Sequence, residues 1–358
     1  MLVNGLGLGN STRCHAIIQE LRAEQARIAV VTSGNGLWYF EDCPDVDEVF
    51  ALEALYYGQK DGKVSIVETL RAAGSFIGIM RRNAKILTKL IQSFRPQLAV
   101  IDSVYTVGPL RRAGIPVVGI NNADGVVKSM PRFTNAPASI KSQFYIIEMA
   151  DYFFHRRMAD LIISPTLDPD VPTAAEKFRR VGPIVRKQCP VRPSGGAPKK
   201  VVIMLSGSTF GTVVKLDAPS YPVRIEVIGR TAPDGHENRS DVIYHGKIKD
   251  SINVLADADL VVVNGGFSAV SEIFYMRKAV VVVPVPRHAE QWINARTIEH
   301  LGIGLMADEE HLEKVMLDAI DRIPEFMANY EKIPVGNNGS VEAARLILDT
   351  AMENDFKA

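Results

Sequence analysis

Short runs of β-branched residues alternate along this chain with longer amphipathic segments. In the first half the apolar runs predict strands at residues 1–5, 28–32, 46–50, 98–101, 117–120 and 161–163. In the second half they predict strands at residues 201–205, 223–228, 242–244, 260–263 and 279–283. Runs as apolar as 261–263 are typical of parallel strands that are buried on both faces.

Amphipathic helices are predicted between these strands, notably at residues 76–94, 140–159 and 340–352. The periodic pattern disappears at residues 183–198, a segment rich in proline and glycine that is typical of an interdomain linker. The sequence therefore predicts an α/β fold with two parallel-sheet domains, at 1–182 and 199–338, that face a central cleft. The last segment, 339–358, is predicted to be a helix that packs back on the N-terminal domain.

Composition excludes several classes of protein. The chain has 358 residues, with 41 Lys and Arg balanced by 41 Asp and Glu, which argues against a dedicated nucleic-acid binder. Its three cysteines are odd in number and lack metal-type spacing, so a reducing, cytoplasmic location is expected and no metal or bound cofactor is indicated. No apolar run approaches the roughly 20 residues that a membrane span needs.

The most informative stretch is residues 259–272, where a buried strand runs into a glycine turn and then a helix. Gly265 and Gly266 allow a sharp turn and the close approach of a ligand to the backbone. The free N–H groups of the helix would then point into the crevice where open α/β sheets bind anions and nucleotides. Ser268 and Glu272 share one helix face, so they could serve a phosphate and a ribose diol. A glycine turn without a ligand is the alternative.

A second glycine loop follows the first strand, at residues 5–9. It does not fit the dinucleotide fingerprint, because Asn10 and Thr12 occupy the positions where a third glycine would be needed. A nicotinamide enzyme is therefore not expected. Asp102 and Asp124 follow predicted strands at the sheet edge where sites are built, although helix or turn capping explains them equally well.

These motifs resemble a known family, the two-Rossmann-domain (GT-B) glycosyltransferases. The resemblance is greatest to the branch with the bacterial GlcNAc transferase of peptidoglycan precursor synthesis and related uncharacterised transferases. The densest match runs from Asn264 through Glu272, Glu290, Gln291 and Asn294 to residues 302–304. Sparser matches are residues 7–9 with Arg13, residues 182–186, and the small-residue loop at 206–208.

The resemblance implies that the C-terminal domain holds a nucleotide-diphosphate sugar, most simply a UDP-sugar, and that the N-terminal domain presents an acceptor hydroxyl. The enzyme would move a hexose-type sugar with inversion. Diphosphate contacts would come from Ser208, Gly266 and Ser268 with Arg186, ribose contacts from Glu272, a base contact from the Ile248 backbone, and sugar contacts from Glu290 and Gln291. The remaining expected substrate contacts are Gly7, Gly9, Arg13, Gly265, Phe267, His288 and Asn294.

The sequence departs from the family pattern at the expected catalytic base. Many relatives have histidine directly after the N-terminal glycines, whereas this chain has Asn10, which can hydrogen-bond an acceptor but cannot take its proton. Either Asp102 or Asp124 would then act as base, or the acceptor needs little deprotonation, or transfer has been lost. His15 is expected to be structural. The basic face around Arg81–Lys89 could contact anionic lipid, although an ordinary solvated helix face explains it better.

Three other functions remain open. A serine hydrolase could use Ser268 as nucleophile with Asp308 and His311, although the second glycine of a nucleophile elbow is missing. The same fold could carry a nucleotide-sugar epimerase or hydrolase. A degenerate transferase could bind nucleotide sugars without turnover, an alternative that Asn10 keeps open.

Overall fold

A computed structural model describes residues 1–54, 59–60, 63–64, 73–172, 177–192, 197–205, 216, 218–232, 240–246, 248, 251–334 and 336–355. Ser208 and the rest of the predicted loop at 206–211 lie outside the described residues, as do residues 193–196 of the predicted linker.

The first half of the chain forms a seven-stranded parallel sheet with strand order β3-β2-β1-β6-β7-β8-β9. Its strands are β1 (Leu2–Val3), β2 (Ala29–Thr32), β3 (Glu48–Ala51), β6 (Ala99–Asp102), β7 (Val117–Ile120), β8 (Leu161–Pro165) and β9 (Phe178–Val181). A separate antiparallel hairpin consists of β4 (Gln59–Lys60) and β5 (Lys63–Val64).

The second half forms a six-stranded parallel sheet with strand order β12-β11-β10-β13-β14-β15. Its strands are β10 (Lys200–Met204), β11 (Arg224–Ile228), β12 (Val242–Gly246), β13 (Leu260–Val263), β14 (Ala279–Val282) and β15 (Gly304–Met306). The predicted α/β fold with two parallel sheets is confirmed. The edge strands β9 and β15 were not predicted.

Helices connect the strands. They are α1 (Leu8–Ala23), α2 (Asn35–Phe40), α3 (Ala73–Phe94), α4 (Gly108–Arg112), α5 (Ala123–Ser129), α6 (Ala138–Gln143), α7 (Met149–Met158), α8 (Ile252–Ala256), α9 (Phe267–Tyr275), α10 (Ala289–His300), α11 (Leu312–Asp321), α12 (Ile323–Lys332) and α13 (Gly339–Asp355). A 3-10 turn at Met130–Arg132 follows α5, and a π-helix at Phe144–Glu148 joins α6 to α7.

The long valine runs are explained by burial of the central strands on both faces. Every residue of β13 and β14 has zero exposed surface, because helices cover the sheet from both sides. Apolar burial of this extent is the main stabilising contribution to such a sheet, at about 25 cal/mol per Å² of apolar surface. It fixes the position of the glycine turn that follows β13.

The last helix joins the N-terminal half. Ala343, Ala344 and Ile347 of α13 are buried in one apolar cluster with Ile17 and Ile18 of α1. Helix α13 therefore covers a helix that begins beside the cleft.

A further apolar cluster lies between the two halves of the molecule. Phe144 and Ile140 from the first half pack with Ala289, Trp292 and Ile293 from the second.

The prediction of one continuous helix at 140–159 was wrong in detail, because a π-helix at Phe144–Glu148 interrupts it. Single-turn π-helices are frequent at functional sites.

The basic side chains expected on the outer face of α3 are exposed, namely Arg81, Arg82, Lys85 and Lys89. Contact of this face with lipid stays a prediction. Within the described part of the chain, no helix combines the length and apolar character that a bilayer crossing requires.

Candidate functional site

Two helices begin at the same point of the cleft, one from each half of the molecule. Helix α1 follows β1, helix α9 follows β13, and their N-cap residues are Gly7 and Gly266, which have no side chain to cap the helix. The Ser268 hydroxyl, in the first turn of α9, donates to the Gly9 carbonyl oxygen of α1 at 2.9 Å. The positive ends of the two helix dipoles and their free backbone N–H groups therefore lie close together.

Among the residues that the structure describes, none occupies the space beside the two N-cap glycines. A Cβ atom added to Gly7 or Gly266 would meet no heavy atom within 4 Å among the described residues, whereas one added to Gly9 would lie 3.3 Å from Ser268 Oγ. Space next to unpaired helix N–H groups is what an anionic group such as a phosphate requires.

Gly265 has a different role from Gly266. A Cβ atom at this position would lie 2.5 Å from the carbonyl oxygen of Gln291, so glycine is needed for the turn to pack against α10. The Asn294 side chain donates to the Gly265 carbonyl at 2.8 Å, and Gln291 Oε1 accepts from the Val285 N–H at 3.0 Å. The Asn294 side chain thus stabilises the glycine turn, whereas the Gln291 side chain holds the loop that follows β14. Contact of either side chain with a donor stays a prediction.

Arg186 and Glu272 form a buried, two-point ion pair. Arg186 Nε and Nη2 donate to the two carboxylate oxygens of Glu272 at 2.7 and 3.0 Å. Glu272 lies one turn after Ser268 on the same face of α9, so the pair borders the helix start. The predicted diphosphate contact and the predicted ribose contact are therefore bonded to each other.

The two predicted bases are also engaged by arginine. Both oxygens of Asp102 accept from Arg13, at 3.0 and 2.6 Å, and Cys14 Sγ donates to the same carboxylate at 3.3 Å. Asp124 accepts from Arg180 at 2.7 Å. Both aspartates have zero exposed surface. A general base must reach the proton that it removes, so this geometry favours a positioning role. A role as base stays a prediction for both.

Asn10 and Arg13 belong to α1. Asn10 is half-buried in its first turn, and Arg13 is buried one turn later. The ion pair with Asp102 ties α1 to the end of β6 and so fixes the helix start at the cleft.

Two carboxylates, one from each half of the molecule, lie near the start of α10. Glu290, in the first turn of α10, accepts from the Asn122 side chain of the other half at 3.0 Å. Glu148, the last residue of the π-helix, accepts from Gln143 Nε2 at 3.0 Å, and Gln143 Oε1 accepts from the Ala289 N–H at 2.9 Å. Glu290 was predicted from the sequence, whereas Glu148 was not.

Burial raises the pKa of Glu148 to about 8, and the nearby Glu290 carboxylate adds to this effect. Burial lowers the pKa of His288, the N-cap residue of α10, and the charge of Glu290 partly opposes the shift. Nδ1 of His288 finds no hydrogen-bonding partner in the described part of the structure. Acids and bases with shifted pKa values in a cleft are typical of functional sites.

A hydrogen-bonded network fixes the sheet edge behind these carboxylates. Asp151 accepts from the Tyr105 hydroxyl at 2.8 Å and from the Asn121 amide at 2.6 Å, and it lies 3.3 Å from His155 Nδ1. Because Asn121 precedes Asn122, the network positions the residue that contacts Glu290. The single sequence gave no signal for Asp151 or His155, which lie on a helix face rather than at a strand end.

A small depression lies between β8 and α10. Asn122, Asp168, Phe267 and Asn294 are among the residues that line it. Ile248 is half-buried and packs against the apolar cluster behind β13. Two predicted contacts of the second half, Phe267 and Asn294, therefore border the same depression as Asn122 and Asp168 of the first half, which were not predicted as contacts.

The arrangement needed for a serine hydrolase is not formed. His311 Nδ1 bonds Asp308 at 2.7 Å, but both side chains are about two-thirds exposed after β15. Strand β15 is two positions from β13 in the sheet, a separation of roughly 10 Å. The Ser268 hydroxyl instead contacts Gly9.

Comparison with known proteins decides the family. Residues 2–324 match the profile of the family described as glycosyl transferase family 1. The chain belongs to this family. Its two-sheet architecture is the GT-B fold.

Named relatives agree with this assignment. The chain is 25% identical over 211 residues to an uncharacterized glycosyltransferase of Methanopyrus kandleri, covering 54% of this chain and 61% of the relative. It is 24% identical over 160 residues to the UDP-N-acetylglucosamine–N-acetylmuramyl-(pentapeptide) pyrophosphoryl-undecaprenol N-acetylglucosamine transferase of Lachnoclostridium phytofermentans, covering 41% of this chain and 45% of the relative. The matches thus span about half the length of these relatives.

The fold is also that of a solved transferase. The crystal structure of MurG from Acinetobacter baumannii superposes with a TM-score of 0.62 at 14% identity, and the match covers 98% of this chain and 99% of the other. At this identity the likeness shows the fold alone.

Proposed function

We propose that this glycosyltransferase moves a hexose-type sugar from a nucleotide-diphosphate donor, a UDP-sugar, to an acceptor hydroxyl with inversion. The observation that carries the proposal is the meeting of two helix N-termini at Gly7 and Gly266, where no atom of the described residues lies within 4 Å of a Cβ placed at either glycine. Backbone N–H groups at this point can bind the diphosphate and stabilise the charge that develops on the leaving nucleotide. The name of the Lachnoclostridium relative, which specifies a UDP-sugar, supports the choice of nucleotide.

The Arg186–Glu272 ion pair is compatible with a ribose contact. A carboxylate offers about four lone-pair sites, and Arg186 occupies two of them. Glu272 can therefore accept the ribose hydroxyls while the guanidinium holds it in place. In this arrangement Arg186 orients Glu272 and supplies positive charge beside the diphosphate.

Glu148 fits the role of general base better than Asp102 or Asp124. Its carboxylate lies at the cleft near Glu290, and its known side-chain partner is the neutral amide of Gln143 rather than an arginine. A raised pKa makes a carboxylate a stronger proton acceptor once it is ionised. Asn10 would then orient the acceptor hydroxyl.

The proposal is tested by binding and by turnover. The full-length protein is titrated calorimetrically with UDP-sugars and with matched GDP-, ADP- and dTDP-sugars, and released nucleotide is measured with a panel of hydroxyl acceptors. A UDP-sugar is expected to bind most tightly and to release UDP only when an acceptor is present. Release without acceptor would instead indicate a hydrolase, and binding without any release would indicate a nucleotide-sugar-binding protein.

A further inference from the structure

A thiol, an imidazole and a carboxylate meet on the N-terminal half, two helical turns from the start of α1. One ligand atom each from His15, Cys43 and Asp45 lies within 4.8 Å of the other two. His15 Nε2 is 2.9 Å from Asp45 Oδ2 and 3.4 Å from Cys43 Sγ. All three side chains are half-buried. The cluster is therefore accessible to a small ion.

The geometry does not match a nucleophilic triad. In such a triad the thiol and the carboxylate approach opposite nitrogens of the imidazole, so that one receives the proton and the other orients the ring. Here both groups approach Nε2, whereas Nδ1 lies 3.0 Å from the hydroxyl of Tyr39. The thiol, nitrogen and carboxylate instead converge on a common point.

We propose that His15, Cys43 and Asp45 bind a divalent cation of the zinc type, with Tyr39 fixing the imidazole from its Nδ1 side. Zinc takes thiolate, imidazole and carboxylate ligands together, whereas magnesium and calcium prefer oxygen ligands alone. Ligand atoms around a tetrahedral zinc are roughly 3.3–3.7 Å apart. The 3.4 Å between His15 Nε2 and Cys43 Sγ already fits this range, whereas Asp45 Oδ2, at 2.9 Å from Nε2, must move away from the ring. A second group that hydrogen-bonds the ligating histidine is common at zinc sites. Three protein ligands leave a fourth position for water.

No motif in the sequence indicates this site, because its ligands come from different elements. His15 lies on α1, whereas Cys43 and Asp45 follow α2 and precede β3. A bound ion would therefore link α1 to the segment that leads into β3. Since α1 and its N-cap residue Gly7 border the cleft, the ion would hold in place a helix that takes part in the proposed donor site.

The test is a cobalt titration of the metal-stripped full-length protein, followed by absorption spectroscopy and competition with zinc. One equivalent of cobalt is expected to produce a thiolate-to-cobalt charge-transfer band that zinc abolishes. Cys43→Ser should remove the band, and His15→Gln should weaken cobalt binding by at least tenfold. Tyr39→Phe should weaken it by about tenfold, as loss of a group that orients a ligand typically does.

His311→Gln is the matched control, because His311 forms a comparable pair with Asp308 at 2.7 Å. This variant should keep the full cobalt signal. A charge-transfer band that survives in Cys43→Ser, or the absence of any band in the unmodified protein, would overturn the proposal. If Cys43→Ser does not fold, Asp45→Asn gives the decision, since unchanged cobalt affinity in that variant is equally contradictory.

Discussion

At the scale of single residues, the candidate site is dominated by charges that have been removed from water. Arg186 is 8% exposed and Glu272 is 6% exposed, so each depends on the other for compensation of its desolvation. Arg13 and Asp102 are also buried, and each likewise compensates the desolvation of the other. Pairs of this kind fix side-chain positions more than they add stability.

Glu272→Ala should destabilise the fold by about 3 kcal/mol, because it leaves the Arg186 guanidinium buried without its partner. The double variant Arg186→Met/Glu272→Leu should recover most of that loss, although neither variant should bind a UDP-sugar. Urea unfolding and calorimetric titration measure the two effects. If Glu272→Ala were as stable as the unmodified protein, the buried pair would not exist in solution.

Glu148 should make both stability and activity depend on pH. Its folded pKa of about 8 lies above the ordinary value of 4.5, so the folded state holds the proton more tightly than the unfolded chain. The stability that this proton contributes is complete below about pH 4.5, decreases as the pH rises, and is lost above about pH 8. Glu290, His288 and Asp151 are the titratable groups nearby that can modify this profile.

If Glu148 is the base, kcat/KM should rise with pH to a plateau above about 8. Glu148→Gln should remove that rise and lower kcat by roughly 10² to 10⁴-fold. It should also flatten the dependence of the free energy of unfolding on pH between 5 and 8. A pH–rate profile that is unchanged in Glu148→Gln would exclude Glu148 as the base and return Asp102 and Asp124 to consideration.

At the scale of elements, adjacent glycines in the turn before α9 have separate physical roles. A Cβ at position 265 would clash with the backbone of α10, whereas a Cβ at position 266 would meet no atom of the described residues within 4 Å. Gly265 is thus required for packing against α10, whereas Gly266 leaves room for the proposed ligand.

Gly265→Ala should therefore lower the free energy of unfolding by about 1–3 kcal/mol, as overpacking does. Gly266→Ala should leave that free energy nearly unchanged but weaken UDP-sugar binding by tenfold or more. Each variant is the control for the other in parallel urea unfolding and calorimetry. The opposite assignment of the two effects would contradict the role proposed for the α9 start.

Some elements of the fold can be predicted from the sequence and others cannot. The buried strands β7 and β13 were predicted with their observed bounds, because hydrophobic runs reflect burial directly. Strand β9 was missed because Arg179 and Arg180 interrupt its apolar pattern at the edge of the sheet. The π-helix was missed because its residues have the same periodicity as the helices on either side.

The candidate site could be predicted only where its residues lie close together in one segment of the sequence. The turn at Gly265 and Gly266 with Ser268 was recognisable because its residues are neighbours in sequence. Glu148 and the pairing of Arg186 with Glu272 depend on contacts between segments distant in sequence, for which a single chain carries no signal. Neither the environment of Glu148 nor the Arg186–Glu272 ion pair follows from hydrophobic periodicity.

At the scale of the whole molecule, two halves meet around both an apolar cluster and a polar cleft. Phe144 and Trp292 belong to the apolar contact, whereas Asn122 with Glu290 and Gly9 with Ser268 are polar contacts across the cleft. The apolar cluster thus fixes the two halves relative to each other, and with them the starts of α1 and α9. The central claim is that these starts jointly bind the diphosphate of the donor.

A crystal structure of the full-length protein with UDP tests that claim most directly. The diphosphate is expected between the starts of α1 and α9, with oxygens within 3.2 Å of backbone N–H groups at these helix ends. The ribose is expected at Glu272 with the Arg186 contact retained. A nucleotide bound elsewhere, or a diphosphate held without either helix start, would contradict the account.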